Sequence, residues 1–185
     1  MLKFAIPALM LLLVPLGAAA QDAKTEPATE TPKPPAPGQP MNGDPPPPDV
    51  FAARAAASNQ FEIRSAELAL RRSKQTFVRD FAGRLLADHQ RAQAELEAAA
   101  RSQSVPVEAT LDASQTEKLE ALAGASEAEF DNAFLSAQMV AHQSAMELFA
   151  LYAEKGAQGP LKAHAQAQYP TLHMHYLKAH SGAPD

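Results

Sequence analysis

The amino-acid sequence predicts an all-α protein: a four-helix bundle of two helical hairpins with a short extra helix in the crossover, preceded by a signal peptide and a disordered proline-rich segment. Two observations lead to this prediction. After residue 49, apolar residues recur with the 3.6-residue period of an amphipathic helix, and no alternating strand pattern occurs. Ten of the 16 prolines lie between residues 21 and 49, so few helix breakers remain in the rest of the chain.

Residues 1–20 have the pattern of a secretory signal peptide. Lys3 precedes an apolar run over residues 4–16, and small residues end at Ala20. The apolar run is shorter than the roughly 20 residues of a membrane-spanning helix. We therefore expect cleavage before Gln21 and a mature protein without a transmembrane domain, located in the periplasm or associated with the outer membrane.

Residues 21–49 are rich in proline, threonine, alanine and acidic residues, and residues 45–48 are four consecutive prolines. Such a composition cannot form a hydrophobic core and favours an extended, disordered chain. The segment is predicted to be a leader to the folded domain. A role as a spacer or as a proline motif that binds a partner is the alternative.

The helical domain is predicted over residues 50–181 and begins with a hairpin. Apolar periodicity indicates one helix over residues 50–72 and a second over residues 74–102, with Ser73 as the cap of the second. Pro106 ends this part of the pattern. The short connection between the two helices makes them antiparallel neighbours.

The second hairpin follows a short helix over residues 114–124. Ser126 and Glu129 have the spacing of a capping box for a long helix that ends near residue 155, where Gly156 stops it. A last helix is predicted over residues 160–180, and Pro170 within it is expected to cause a kink. Two hairpins and a crossover helix correspond to the ferritin-like arrangement.

Helical phase selects the polar residues that face the interior of this bundle. Glu62 lies in a stripe of small apolar residues, and His89 and His142 lie on the apolar faces of the second and the long helix. On the last helix, His175 lies on one flank of the apolar seam and His173 and His180 lie on the other, so helical phase does not choose among them. His142 and His175 lie at similar distances from the turn that joins their helices, and should meet at one depth.

Composition excludes several classes of function. The formal net charge of −5 argues against nucleic-acid binding. The chain has no cysteine, and therefore no disulfide, thiolate metal site or cysteine nucleophile. No Glu-x-x-His motif occurs, which argues against di-iron ferroxidase chemistry. Serine-triad spacing, phosphate loops and nucleotide motifs are also lacking, so the sequence does not indicate an enzyme.

Four segments in order, "FEIRSAELAL", "VRDFAGRLLADHQRA", "FDNAFLSAQMVAHQSAMELF" and "LKAHAQAQYPTLHMHYLKA", resemble the bacterial family called domain of unknown function 4142. The resemblance covers residues 50–180 and implies an exported or outer-membrane protein with a ferritin-like fold. The motif positions of the family fall on these residues: Glu62, Asp88, His89, Phe130, Asp131, His142 and His175. The resemblance therefore selects His175 from the last helix. Tyr169 stands where the family often has leucine.

Two hypotheses for function follow. In the first, the protein is a non-catalytic exported module that binds an envelope protein or cell-wall component, and its inward histidines and Glu62 satisfy one another by hydrogen bonds. In the second, Glu62, His89, His142 and His175 bind one transition-metal ion, which the bundle buffers or senses. Nitrogen and oxygen ligands of this kind suit zinc, copper or iron. No other cofactor is predicted.

Overall fold

The computed structural model describes residues 43–183. The predicted signal peptide and residues 21–42 of the predicted proline-rich segment lie outside this range. Five helices are present, and residues 43–183 contain no strand: α1 (Pro48–Arg72), α2 (Thr76–Ser102), α3 (Ala113–Gly124), α4 (Phe130–Lys155) and α5 (Pro160–Gly182). The all-α prediction is confirmed. No described helix is both long and apolar enough to cross a bilayer.

The four long helices form two hairpins that pack against each other. Residues 73–75 join α1 to α2, and residues 156–159 join α4 to α5. α1 also packs against α4, and α2 against α5, so each long helix has two neighbours. The short helix α3 lies in the crossover and contacts α1 and α4. α1 begins at Pro48, slightly before the predicted start at residue 50, because proline is well suited to the first helical positions.

Two predicted helix starts are wrong, for the same physical reason. Ser73 does not cap α2; its hydroxyl accepts a hydrogen bond from Gln75 N at 3.1 Å, within the turn. Ser126 and Glu129 do not form a capping box, because the Ser126 hydroxyl donates to Glu129 Oε2 at 2.7 Å and α4 begins only at Phe130. In both places the side chain bonds inside the turn and leaves the helix terminus without a side-chain cap.

A capping box does occur, one helix earlier than predicted. The Asp112 side chain accepts a hydrogen bond from Gln115 N at 2.8 Å, and the Gln115 side chain accepts one from Asp112 N at 3.1 Å. These bonds fix the start of α3 at Ala113. Pro170 lies inside α5, and the helix continues without a break on both sides of it.

The core consists of two apolar clusters with a polar layer between them. One cluster, around Phe51 and Leu161, lies at the end with the α4–α5 turn, and the other, around Phe81 and Phe134, lies at the end with the α1–α2 turn. Between them, each long helix contributes buried polar side chains: Asn59, Glu62, Ser65, His89, Gln93, Gln138, His142 and His175. We call these eight residues the polar layer. A polar layer inside a bundle destabilises the fold unless its groups are satisfied.

Candidate metal centre

The polar layer contains one acidic residue and three histidines, one from each long helix. Glu62, His89, His142 and His175 are all at most 3% exposed. Each has a residue of an apolar cluster three or four positions away on its own helix: Ala66, Leu85, Ala145 and Leu172, respectively. The side chains that helical phase and the family resemblance selected therefore lie in one buried layer.

The three histidines converge on a common point. One ring nitrogen from each of His89, His142 and His175 can be chosen so that all three lie within 4.8 Å of one another. Their ring centroids are 5.2 to 5.5 Å apart. A four-coordinate ion with metal–nitrogen bonds of about 2.0–2.1 Å holds its nitrogens about 3.4 Å apart. To share one ion, the nitrogens would have to approach one another by up to about 1.4 Å.

His89 is held in one tautomer by a directional chain of hydrogen bonds. The exposed Glu97 carboxylate accepts from Gln93 Nε2 at 2.8 Å, and Gln93 Oε1 accepts from Asn59 Nδ2 at 3.2 Å. Asn59 Oδ1, at 3.0 Å from His89 Nδ1, is therefore an acceptor. His89 must donate through Nδ1–H, which leaves its Nε2 as an unprotonated lone pair.

His142 and His175 are oriented in the same way by acceptors. His142 Nδ1 lies 2.9 Å from the main-chain oxygen of Gln138, and His175 Nε2 lies 3.1 Å from Asp88 Oδ2. A carbonyl or carboxylate oxygen can only accept, so each histidine donates from that nitrogen and carries a lone pair on the other. The free lone pairs are on His142 Nε2 and His175 Nδ1.

These three lone pairs have no hydrogen-bond partner within residues 43–183. His89 Nε2, His142 Nε2 and His175 Nδ1 are all fully buried and all unpaired there. They cannot bond to one another, because none of them carries a proton. One water molecule has two protons for three lone pairs, whereas one metal ion accepts all three. Hydrogen bonding among the polar residues themselves therefore leaves three buried lone pairs unpaired within residues 43–183.

Electrostatics keep the three imidazoles neutral. Burial, with repulsion from the other rings, lowers the pKa of His89 well below its ordinary value. Burial also lowers the pKa of His142, to about 3, and repulsion from His175 adds to this effect. The pKa of His175 is lowered by burial, although Asp88 works in the opposite direction. Neutral imidazoles are the form that binds a metal.

Glu62 lies on the outer side of the cluster. Its Oε1 is 3.6 Å from His142 Nδ1, the nitrogen that faces away from the lone pairs. It does not belong to the group of nitrogens that lie within 4.8 Å of one another. Burial raises the pKa of Glu62 well above its ordinary value, and the Gln138 amide partly offsets this. The structure thus brings together three of the four predicted ligands and places Glu62 beside one of them.

The other histidines lie outside the cluster. His173 and His180 are exposed. His164, which phase did not select, is buried against Phe149 with its Nε2 unpaired within the described residues. The apolar seam of α5 is too weak to indicate that His164 faces the core.

Sequence reasoning also missed the groups that orient the histidines. Asn59 precedes Glu62 by three residues, Gln138 precedes His142 by four, and Gln93 follows His89 by four. Each therefore shares a helix face with an inward residue, and for the Asn59 and Gln93 side chains this spacing is the signal that could have identified them. Gln138 orients His142 through its main-chain oxygen, which any residue at that position would supply. Asp88 was identified by family resemblance alone, without a role.

Comparison with known proteins adds a family and no activity. The family described as Domain of unknown function (DUF4142) matches residues 31–181. No curated protein and no solved structure matches the chain. The ferritin-like relationship accordingly stays a prediction from helix order and resemblance.

Proposed function

The chain belongs to the DUF4142 family, whose activity is undefined, and we propose that it binds one transition-metal ion through His89, His142 and His175. Two observations support this proposal: one ring nitrogen of each histidine lies within 4.8 Å of the other two, and each histidine has one buried nitrogen without a hydrogen-bond partner among the described residues. Metal-bound histidines are usually oriented by an acceptor on the other ring nitrogen. All three histidines have such an acceptor.

The ligand set favours a late divalent metal of intermediate softness. Three neutral imidazoles without a thiolate suit Zn²⁺, Cu²⁺ or Co²⁺, and copper and zinc stand at the strong end of the affinity order. Glu62 is not a ligand in this proposal, because its carboxyl group lies next to His142 Nδ1 and not next to the nitrogen that would bind the ion. Glu62 is the one buried carboxylate among the described residues, so a bridged di-iron centre is not proposed. The expected role is buffering or sensing of the ion.

The proposal is tested on protein purified without a histidine tag. Elemental analysis after equilibration with Zn²⁺ should give one ion per chain in the wild type and a loss of at least tenfold in affinity in His142→Ala. His173→Ala is the matched control, because His173 is exposed and should leave the stoichiometry unchanged. Wild-type protein that stays metal-free, or equal loss in both variants, would refute the proposal.

A second candidate function is a non-catalytic module that binds an envelope protein or a cell-wall component. Its support is the exposure of two large apolar side chains three residues apart on α5, Met174 at 58% and Leu177 at 49%. The double substitution Met174→Ser with Leu177→Ser should abolish partner capture by crosslinking in envelope extracts. Unchanged crosslinks would exclude this surface.

Export remains part of the proposal. The pattern of Lys3, an apolar run and small residues before Gln21 supports cleavage by a signal peptidase and a periplasmic or outer-membrane-associated location. Sequencing the N-terminus of protein expressed with its leader should yield Gln21. An intact Met1 would contradict export by this route.

A further inference from the structure

A second part of the fold, apart from the histidine cluster, contains a cavity. It has a volume of about 90 Å³, lies between α1, α3 and α4, and is not lined by any of the three histidines of the cluster. Its inner wall consists of Phe61, Ala145 and Leu148, which are at most 5% exposed. The remaining walls carry charged and hydroxyl side chains. We call it the α3 cavity.

The charges around the α3 cavity favour an anion. Arg54 from α1 and Lys118 from α3 line it, and both are partly buried. Neither forms a salt bridge with another residue of the range 43–183. Among the described residues of the lining, Asp112 is the one acidic residue, and its carboxylate accepts a hydrogen bond from Gln115 N at the start of α3. Two cations against one carboxylate leave an excess positive charge, which attracts a small anion.

The Arg54 guanidinium is the least compensated of these charges. Burial lowers its pKa from the ordinary value, whereas the negative charge of Asp112 works in the opposite direction. A charged group that has lost water without gaining an ion pair is costly to the fold. A carboxylate would supply the missing partner, because the planar guanidinium can donate two parallel hydrogen bonds to its oxygens. Ser58, one turn further along α1, also lines the cavity and carries a hydroxyl that can donate.

The apolar inner wall determines what kind of anion fits. Phe61, Ala145 and Leu148 have no side-chain donor, so an ion that is hydrated on all sides, such as phosphate, would lose water there without compensation. An alkyl group would instead gain from burial against these residues. An apolar cavity of about 150 Å³ accommodates the six carbons of benzene, so about 90 Å³ holds roughly four carbon atoms. The ligand is therefore expected to have one charged end and a short alkyl chain.

From these observations we propose that the α3 cavity binds a short-chain monocarboxylate of about four carbons. Its alkyl chain packs against Phe61 and Leu148, and its carboxylate faces Arg54 and Lys118. The site shares no ligand-binding residue with the metal centre, so this proposal and the proposed function stand or fall separately.

The test is an amide NMR titration of the full chain, isotope-labelled and kept metal-free by a chelator, with sodium butyrate. Amide signals around the α3 cavity should shift and saturate at one butyrate per chain. Acetate should bind about tenfold more weakly, because it buries two methylene groups fewer and each is worth up to about fourfold in affinity. Butyramide, which has the same shape without the charge, should bind at least tenfold more weakly.

Two variants with matched controls examine the charge and the space. Arg54→Met keeps the apolar stem without the guanidinium and should weaken butyrate binding at least tenfold; Arg64→Met makes the same change in net charge at an exposed position of α1 and should not. Ala141→Leu narrows the cavity with its charges intact and should also weaken binding at least tenfold. Its control is Ala150→Leu, because Ala150 is exposed on the same helix. If Ala141→Leu fails to fold by circular dichroism, Arg54→Met and its control decide the test.

A wild-type chain without a saturable response to butyrate would refute the site. Equal affinities for butyrate and butyramide, or for butyrate in the wild type and in Arg54→Met, would overturn the role of the carboxylate. Tighter binding of inorganic phosphate than of butyrate would overturn the role of the apolar wall. Because the chelator is present throughout, each of these outcomes is independent of metal binding by the histidines.

Discussion

Acidification from pH 7 to pH 5 should destabilise the metal-free domain, because its buried histidines resist protonation. The His142 pKa is about 3 in the folded protein, against 6.5 for an ordinary histidine. Between these values the unfolded chain binds a proton that the folded chain does not, so the free energy of unfolding falls as the pH falls. For this single residue, the loss from pH 7 to pH 5 is about 2 kcal/mol.

The other titratable groups of the polar layer determine whether the free energy of unfolding falls or rises on acidification. The pKa values of His89 and His175 are also lowered, so both add to the loss on acidification. Glu62 acts in the opposite direction: its folded pKa is raised, so its ionised form is disfavoured above its ordinary pKa, and acidification relieves this cost. Three histidines against one carboxyl leave a net proton uptake on unfolding. Each net proton corresponds to about 1.4 kcal/mol per pH unit.

Urea denaturation at pH 5, 6 and 7 in the presence of a chelator measures this dependence. The midpoint should decrease steadily from pH 7 to pH 5, and His142→Gln should show a shallower decrease than the wild type. His173→Ala keeps the buried histidines and should follow the wild-type slope. A midpoint that rises on acidification would show that Glu62 dominates the layer and that the histidines are not held neutral by burial.

Three further predictions concern single residues. His89→Ala should lower the free energy of unfolding of the metal-free domain by about 1–3 kcal/mol, because it opens a cavity and leaves Asn59 Oδ1 without its donor. In the same urea melts, the control His173→Ala should stay within about 0.5 kcal/mol of the wild type, because His173 is exposed. Asn59→Ala should weaken metal affinity by about 10–100-fold, because it removes the acceptor that orients His89. Competition with a chromophoric chelator measures this affinity. The control Asn132→Ala should leave the affinity unchanged, because Asn132 is exposed. Unchanged affinity in the first variant would mean that the tautomer is fixed by other contacts. Glu62→Gln should raise the free energy of unfolding at pH 7, because it removes a buried carboxyl whose pKa is raised by burial; a decrease would identify Glu62 as a stabilising ionised partner of His142.

Periodicity in the sequence was sufficient for the helices and for the inward faces of three of them. Val78, Phe81 and Leu85 on α2 are fully or almost fully buried, as the 3.6-residue period requires. His89 and His142 follow from the same period, since they share a face with strongly apolar neighbours. The helix starts at Thr76 and Phe130 were missed, because a serine can bond within the preceding turn as well as cap the helix.

The inward face of α5 could not be predicted from periodicity. Its apolar residues are too few to define one face, so helical phase left the choice among His173, His175 and His180 open. It also overlooked the buried His164. Family resemblance, and not the residues themselves, selected His175. Packing against α2 and α4 resolves the ambiguity, because those helices determine which face of α5 is covered.

The sequence by itself determined the all-α class, the helix order and the inward direction of Glu62, His89 and His142, because these depend on local periodicity within one helix. Only the tertiary structure decided how the polar residues meet. The axial register of four helices brings three histidine nitrogens together, and acceptors on other elements, Asn59 and Asp88, fix which nitrogen keeps its lone pair. Glu62 shares the depth of His142 yet faces its outer nitrogen. Relations of this kind arise between residues far apart in the chain, and helical periodicity carries no information about them.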